Sequence, residues 1–278
     1  MRFGAIGCQA ALRTTEQLSA VGQLLNSLEL LAVAEKREDG GLNNWQLLRE
    51  QHAKRPRAVR RLLDVLAGRR IVKGMHVGRV VSAAALLAPK TPPMYRAAAH
   101  AYLVTTSVAQ APRTRYGGDG ADQMSFVVQA SCLVARLFPG NERVTDAALR
   151  HIALQTTMAY TVSGTTKLAG ATWRSGEALG HVLRTVSYGD RQVYALAVKY
   201  PVLVTAASHT VMALQCAFPL IFLRRGRLAL PGVAIMGGFH IINGRVMGLP
   251  RFVWAFLSSY PAVLHTACRL QNPSKAAT

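Results

Sequence analysis

The chain has 278 residues, of which half are hydrophobic and only 17% are charged, and its mean hydropathy is +0.18. Lys and Arg total 33 against 13 acidic residues, which gives a formal charge of +20. The cations lie mainly between apolar segments and form no basic face interleaved with aromatic residues. The pattern therefore indicates a membrane protein and argues against a nucleic-acid-binding one. Membrane lipids with anionic head groups are the partner that such basic loops favour.

The four cysteines, Cys8, Cys132, Cys216 and Cys268, are dispersed along the chain without a C-x-x-C pair. This spacing fits neither a zinc site nor a disulfide framework. His, Cys and carboxylate residues also show no cluster with metal-ligand spacing. We therefore predict no metal, and single thiols that pack between helices.

The N-terminal part, residues 1–74, is predicted to be amphipathic or weakly membrane-spanning. Gln17–Ala34 has the length of a membrane span, but its polar residues, Glu29 among them, fit a helix lying on the membrane equally well. Lys54–Arg79 carries nine cations against the single acid Asp64. We interpret this segment as a cytoplasmic anchor of the membrane topology; the alternative is a docking arm for an acidic partner or peptide.

Residues 75–270 are predicted to form the helical core, and residues 271–278 a polar tail. The run Val193–Leu223 is longer than one crossing needs, so we expect a kink at Pro201 or an interfacial entry. The other candidate spans are Val77–Ala88, Tyr95–Ala111, Met124–Phe138, the helix within Ala148–His181, Leu228–Leu249 and Phe252–Leu270. Together these segments predict an all-α, polytopic transmembrane bundle of six to eight helices in one domain.

The segment Ala148–His181 contains the principal candidate site. Thr156, Tyr160, Ser163 and Lys167 follow one another at steps of four, three and four, so a helix places them on one face. A polar stripe on an otherwise apolar helix turns away from lipid, toward the protein interior or a wet cavity. The spacing therefore predicts a row of hydroxyl groups that leads to an amine.

This segment also carries a family resemblance. The run from Tyr160 through Lys167-Leu168, Trp173 and Gly176 resembles the KL…W…G…AL signature of the HTTM family. That family comprises the membrane domain of vitamin K-dependent gamma-carboxylase and bacterial relatives such as the sporulation-delaying-protein B group. Thr114–Phe126 resembles the family's glycine–aspartate entry to a middle helix, and Gly237–Phe252 resembles its late FH…GL..F helix. The resemblance extends from about Arg113 to the C-terminus.

The resemblance implies roles for several residues. The lysine at the position of Lys167 is, in the carboxylase, the base that activates reduced vitamin K, so Lys167 is a catalytic candidate and a reduced quinone a possible cofactor. Tyr160 and Ser163 would then hydrogen-bond the substrate, and Trp173 would border its head group. The residues alone leave other interpretations open: Lys167 as a cation that reaches the membrane surface from a helix end, and Trp173 as an interface anchor.

Two further candidates lie outside this segment. His240 stands in the middle of a predicted span, with Asn243 and Gly244 on its face, and is the second catalytic candidate; the alternative is a packing residue. Asp119 lies in a glycine-rich turn, where it either caps the following helix or, as the resemblance implies, borders the substrate site. Gln215 stands near a position where the family often has glutamate, which weakens a proton-transfer role there.

Three functions are compatible with this pattern. The first is the membrane subunit of a peptide-modification or peptide-maturation system, working with a separately encoded partner protein on a peptide substrate. The second is a small membrane enzyme that uses a quinone or a lipid. The third is a non-enzymatic transporter or immunity-type membrane protein. The sequence predicts no large extramembrane region of the kind the carboxylase uses to hold its peptide.

Overall fold

The computed structural model describes residues 7–32, 44–113, 120–186 and 188–271, and within them all regular secondary structure is helical. The helices are α1 (Cys8–Ala32), α2 (Trp45–Glu50), α3 (Arg57–Leu66), α4 (Arg69–Leu87), α5 (Pro93–Gln110), α6 (Gly120–Leu137), α7 (Glu142–Ala169), α8 (Ala171–Arg174), α9 (Ala178–Leu183), α10 (Arg191–Lys199), α11 (Pro201–Ala217), α12 (Leu223–Gly226), α13 (Ala229–Val246), α14 (Pro250–Leu257) and α15 (Tyr260–Gln271). Short 3₁₀ turns cover Ala111–Arg113 and Phe218–Phe222. The all-α prediction is confirmed.

Prolines set two of the helix boundaries. The expected irregularity at Pro201 is a complete break: α10 ends at Lys199, Tyr200 has non-helical dihedral angles, and Pro201 begins α11. Proline fits the first turn of a helix because no hydrogen bond is lost there. The predicted span Phe252–Leu270 is divided between two helices, α14 and α15. Pro261 near the start of α15 cannot donate back to the preceding turn, so the helix cannot run through.

The N-terminal helix α1 is central to the bundle. It packs against α4, α6, α7, α14 and α15. The main apolar core joins residues of α1, α6, α7, α13, α14 and α15, with Leu12, Val128 and Ile152 among its fully buried members. A second, smaller core lies between α1, α4 and α5 around Leu86 and Leu103. Both apolar cores therefore include residues of α1.

Several helices bury polar residues and expose apolar ones. Thr156 and Tyr160 on α7 are buried, whereas Leu154, Met158 and Val162 on the same helix are 48–58% exposed. The same inversion occurs on other helices, with buried residues Gln23, His76, Arg79, His100 and His240, and exposed residues Leu28, Val77, Val81, Val108, Ile241 and Ile242. The predicted polar stripe of α7 thus faces inward at Thr156 and Tyr160.

A buried ionic cluster ties α1 to α5 and α6. Glu16 is fully buried, and Arg136 contacts both its carboxylate oxygens, at 2.6 and 2.7 Å. Arg96 and His100 contact the same carboxylate at 3.2 and 3.1 Å. Gln129 links His100 to Ser19. Arg136, near the C-terminal end of α6, is therefore held in the bundle by Glu16.

Arg79, the last cation of the predicted anchor Lys54–Arg79, is also buried. Its guanidinium donates to the Thr106 and Ser107 hydroxyl groups, to the Leu103 carbonyl and to the Gln23 side chain. The surface part of the basic segment therefore ends before Arg79. The helical stretch Pro201–Gly226 is, within the described ranges, the one stretch long and apolar enough to cross a membrane by length and composition.

Candidate functional site

Lys167 lies at the end of α7 among uncharged partners. Its amine donates to the Ser163 hydroxyl, one turn earlier, and to Oε1 of Gln215 on α11 at 3.0 Å. The amine also lies 5.3 Å from the centre of the Trp173 ring, a distance at which a cation is attracted to the ring face. None of the ion pairs formed by the described residues includes Lys167. We name Lys167, Ser163, Gln215 and Trp173 the lysine cluster.

Two glycines bring the neighbouring segments close enough to build this cluster. A Cβ atom on Gly164 would lie 2.7 Å from the Cys216 sulfur and 2.8 Å from the Cys216 backbone nitrogen, so only glycine lets α11 approach α7 here. Gly176 has a φ of +83° and packs on Thr205 in the same way. This conformation favours glycine. The glycines thus place Gln215 beside Lys167 and the turn after α7 against α11.

The turn that carries Trp173 is fixed at both ends. Arg174 donates to the carbonyl groups of Leu168 and Ala169 at the end of α7, at 3.0 and 2.7 Å. Its own carbonyl lies 3.0 Å from Nε2 of His209 on α11. Because carbonyls at a helix end have no partner within the helix, Arg174 acts as a cap. Trp173 is therefore held at a defined position over Lys167.

A second polar group lies deeper in the bundle. The Tyr160 hydroxyl is 2.7 Å from Nε2 of His240 and 2.8 Å from the Tyr260 hydroxyl. All three residues are buried, and Nδ1 of His240 has no hydrogen-bond partner among the described residues. Phe256 stacks on the His240 ring with centroids 4.4 Å apart. We name Tyr160, His240 and Tyr260 the tyrosine–histidine group.

The candidate residues therefore form two groups along α7. Ser163 belongs with Lys167, and Tyr160 belongs with His240. Seven residues separate Tyr160 from Lys167, which is roughly 10 Å along a helix. The structure joins Trp173 to the lysine cluster as expected, while Asp119 lies outside the described residues. Sequence reasoning missed Tyr260, because nothing in its local pattern marks a tyrosine that meets α7 and α13 in space.

A further grouping brings together three side chains that could each offer a metal-ligand atom. Ligand atoms of Cys8, Asp146 and His265 all lie within 4.8 Å of one another. These residues come from α1, α7 and α15, so no local spacing could reveal them. Asp146 also binds Arg150 at 2.8 Å and Arg269 at 3.3 Å. Two guanidinium groups on the same carboxylate disfavour a further cation, so the grouping is better described as an ion-pair cluster.

Comparison of the chain with family models, with curated proteins and with solved structures finds no match. The resemblance to the HTTM family consequently stays a prediction that rests on the quoted residues.

Proposed function

We propose that this chain is a multi-pass integral membrane protein of the HTTM type. We further propose that it is the membrane subunit of a peptide-modification or peptide-maturation system, with a separately encoded partner. In this function the lysine cluster binds the polar head of an amphipathic molecule, such as a reduced quinone, and Lys167 is the base. The observation that carries the proposal is the position of the Lys167 amine between uncharged acceptors and an aromatic ring.

The inverted burial pattern supports the location in a membrane. Exposure of apolar side chains costs free energy in water but not in lipid. Ionisable residues of membrane proteins face the bundle interior. Leu154, Met158 and Val162 face outward on α7 while Tyr160 faces inward. Apart from Pro201–Gly226, the long helices contain too many charged or polar residues to be recognised as spans by composition. Glu16, Arg96 and Arg136 are examples; inside the bundle the one carboxylate binds both guanidinium groups.

The lysine cluster supports base chemistry. A lysine can serve as a base when burial or a neighbouring cation lowers its pKa toward neutrality and no nearby carboxylate holds its amine in the charged form. Gln215 supplies a hydrogen-bond acceptor without a negative charge, so it orients the amine and still permits loss of a proton. Trp173 offers a flat apolar surface beside the amine, which suits the ring of a quinone.

The first prediction concerns the side of the membrane on which the basic segment lies. Cysteines introduced at exposed positions of residues 54–73 other than Ala58, Leu62 and Val65 should resist a membrane-impermeant maleimide added to intact cells, because we propose that the basic segment lies on the cytoplasmic side. Permeabilised cells should allow labelling at the same positions. Strong labelling of intact cells would reverse the orientation, and release of the chain by alkaline carbonate without detergent would contradict the membrane assignment.

Quinone binding is tested with tryptophan fluorescence. The chain has three tryptophans, so Trp45→Phe/Trp254→Phe leaves only Trp173. Trp45→Phe/Trp173→Phe leaves only Trp254, which is also half-buried and serves as the matched control. Menadione is titrated into each protein in lipid nanodiscs. We expect saturable quenching of Trp173, because the quinone stacks in the lysine cluster, and only linear, collisional quenching of Trp254. The same linear quenching of both tryptophans would overturn the proposal.

A further inference from the structure

We propose that α2 and α3 form an amphipathic hairpin that lies on the membrane surface and binds anionic phospholipid head groups. This inference rests on the proposed function, because it requires the chain to be in a membrane. The inference identifies α2 and α3 as the part of the chain that contacts the lipid. It also identifies the lipid by its acidic phosphodiester head group.

The hairpin is closed by Asp64. Trp45 on α2 donates to Oδ1 of Asp64 at 2.9 Å, and Arg49 binds both carboxylate oxygens at 2.7 and 2.9 Å. The hydrogen bonds from Arg49 and Trp45 hold the pKa of the Asp64 carboxyl below its ordinary value. The only acid between Lys54 and Arg79 in the sequence is thus hydrogen-bonded inside the hairpin, to Trp45 and Arg49.

The hairpin leaves an apolar surface without a partner in the described chain. Ala58, Leu62 and Val65 recur at steps of four and three, which places them on one face of α3. Leu62 and Val65 are 57% and 61% exposed, and Leu47 on α2 is 62% exposed. Leu48 and Leu63 are buried, and α3 packs against α4 of the bundle. The helix therefore has one face for the protein and a second apolar face directed outward.

Exposed cations border this outward face. Arg57 and Arg61 lie one turn apart beside the apolar residues of α3, and both are exposed. Lys54 and Arg55 precede the helix and Lys73 follows it, and all three are exposed as well. An apolar face bordered by Lys and Arg is the pattern of a helix that lies in the head-group region, with its apolar side chains in the acyl boundary. Basic residues at that depth are attracted to anionic lipid.

This surface suits a lipid better than a single-stranded nucleic acid. Phosphate backbones and phospholipid head groups both attract cations, but single-stranded nucleic acid also requires aromatic side chains on which bases stack. Trp45, the aromatic residue of the hairpin, stacks on His52 and donates to Asp64, so its ring is engaged within the protein. The outward residues Leu47, Leu62 and Val65 are aliphatic and fit acyl chains.

The test measures whether Leu62 enters the lipid. The full chain carries Leu62→Cys with Cys216→Ala and Cys268→Ala, since Cys8 and Cys132 are buried. It is placed in nanodiscs of phosphatidylcholine, or of equal parts phosphatidylcholine and phosphatidylglycerol, and labelled with an impermeant maleimide. We expect fast labelling in phosphatidylcholine and protection with phosphatidylglycerol. Equal labelling rates in the two lipids would overturn the inference.

Charge variants separate lipid recognition from general burial. Arg57→Gln/Arg61→Gln should weaken the protection by about fivefold for each cation removed, whereas Arg191→Gln/Lys199→Gln on exposed positions of α10 should leave it unchanged. Protection of Leu62→Cys by a single-stranded oligonucleotide in phosphatidylcholine would assign the surface to nucleic acid and overturn the lipid proposal. Carbonate extraction distinguishes the two failures: released chain contradicts the proposed function, while retained chain with an unprotected Leu62→Cys contradicts only the hairpin.

Discussion

Glu16→Gln, which keeps the side-chain volume, is expected to destabilise this chain strongly. The carboxylate is fully buried and holds Arg96, Arg136 and His100. Glutamine keeps the volume but removes the charge and presents an amide N–H toward guanidinium donors. Removing one partner of a buried ion pair leaves the others uncompensated, which costs about 3–5 kcal/mol.

The same helix provides a matched control. Glu29 is exposed on α1, so Glu29→Gln should change the free energy of unfolding by less than about 0.5 kcal/mol. Both variants can be compared by thermal unfolding in detergent, with chromatographic homogeneity as the check on assembly. Glu16→Gln/Arg136→Gln should lose less than the sum of the two single substitutions, because the residues share one interaction. A Glu16→Gln variant as stable as Glu29→Gln would contradict the assignment of Glu16 as the centre of the cluster.

The inward direction of the α7 stripe was predictable from the sequence at Thr156 and Tyr160. The steps of four and three define a helix face by geometry alone, and the cost of exposing polar groups to lipid decides which way that face turns. The break before Pro201 was predictable for a similar reason, because proline acts on its own helix. Such features depend on residues that are neighbours along the chain.

Features that depend on contact between distant segments were not predictable. Glu16 lies 80 residues from Arg96 and 120 from Arg136, and its own neighbourhood resembles an ordinary amphipathic helix. Glu29, the more visible acid inside an apolar run, is exposed instead. The division of the candidate residues into two groups could not be predicted from the sequence either. It depends on Tyr260 of α15 and Gln215 of α11, which contact α7 only in the folded chain.

Lys167→Arg is expected to abolish activity while folding and membrane abundance stay normal. Arginine keeps the positive charge and can still bond Ser163 and Gln215, but it does not give up its proton under physiological conditions. Lys167→Ala should fail equally, since both variants lack the base. Loss of a general base lowers the rate by about 100- to 10,000-fold. The measurement is consumption of a reduced naphthoquinone by proteoliposomes that contain the chain and its partner.

Lys199 supplies the matched control for this prediction. It also stands at a helix end with its amine 5.3 Å from an aromatic ring, that of Tyr200, but it is exposed. Lys199→Arg and Lys199→Ala should therefore leave activity unchanged. If Lys167 merely reaches the membrane surface as a cation, Lys167→Arg should be nearly silent and Lys167→Ala mildly destabilising. The two explanations thus give opposite results for one variant, and an active Lys167→Arg protein would end the base hypothesis.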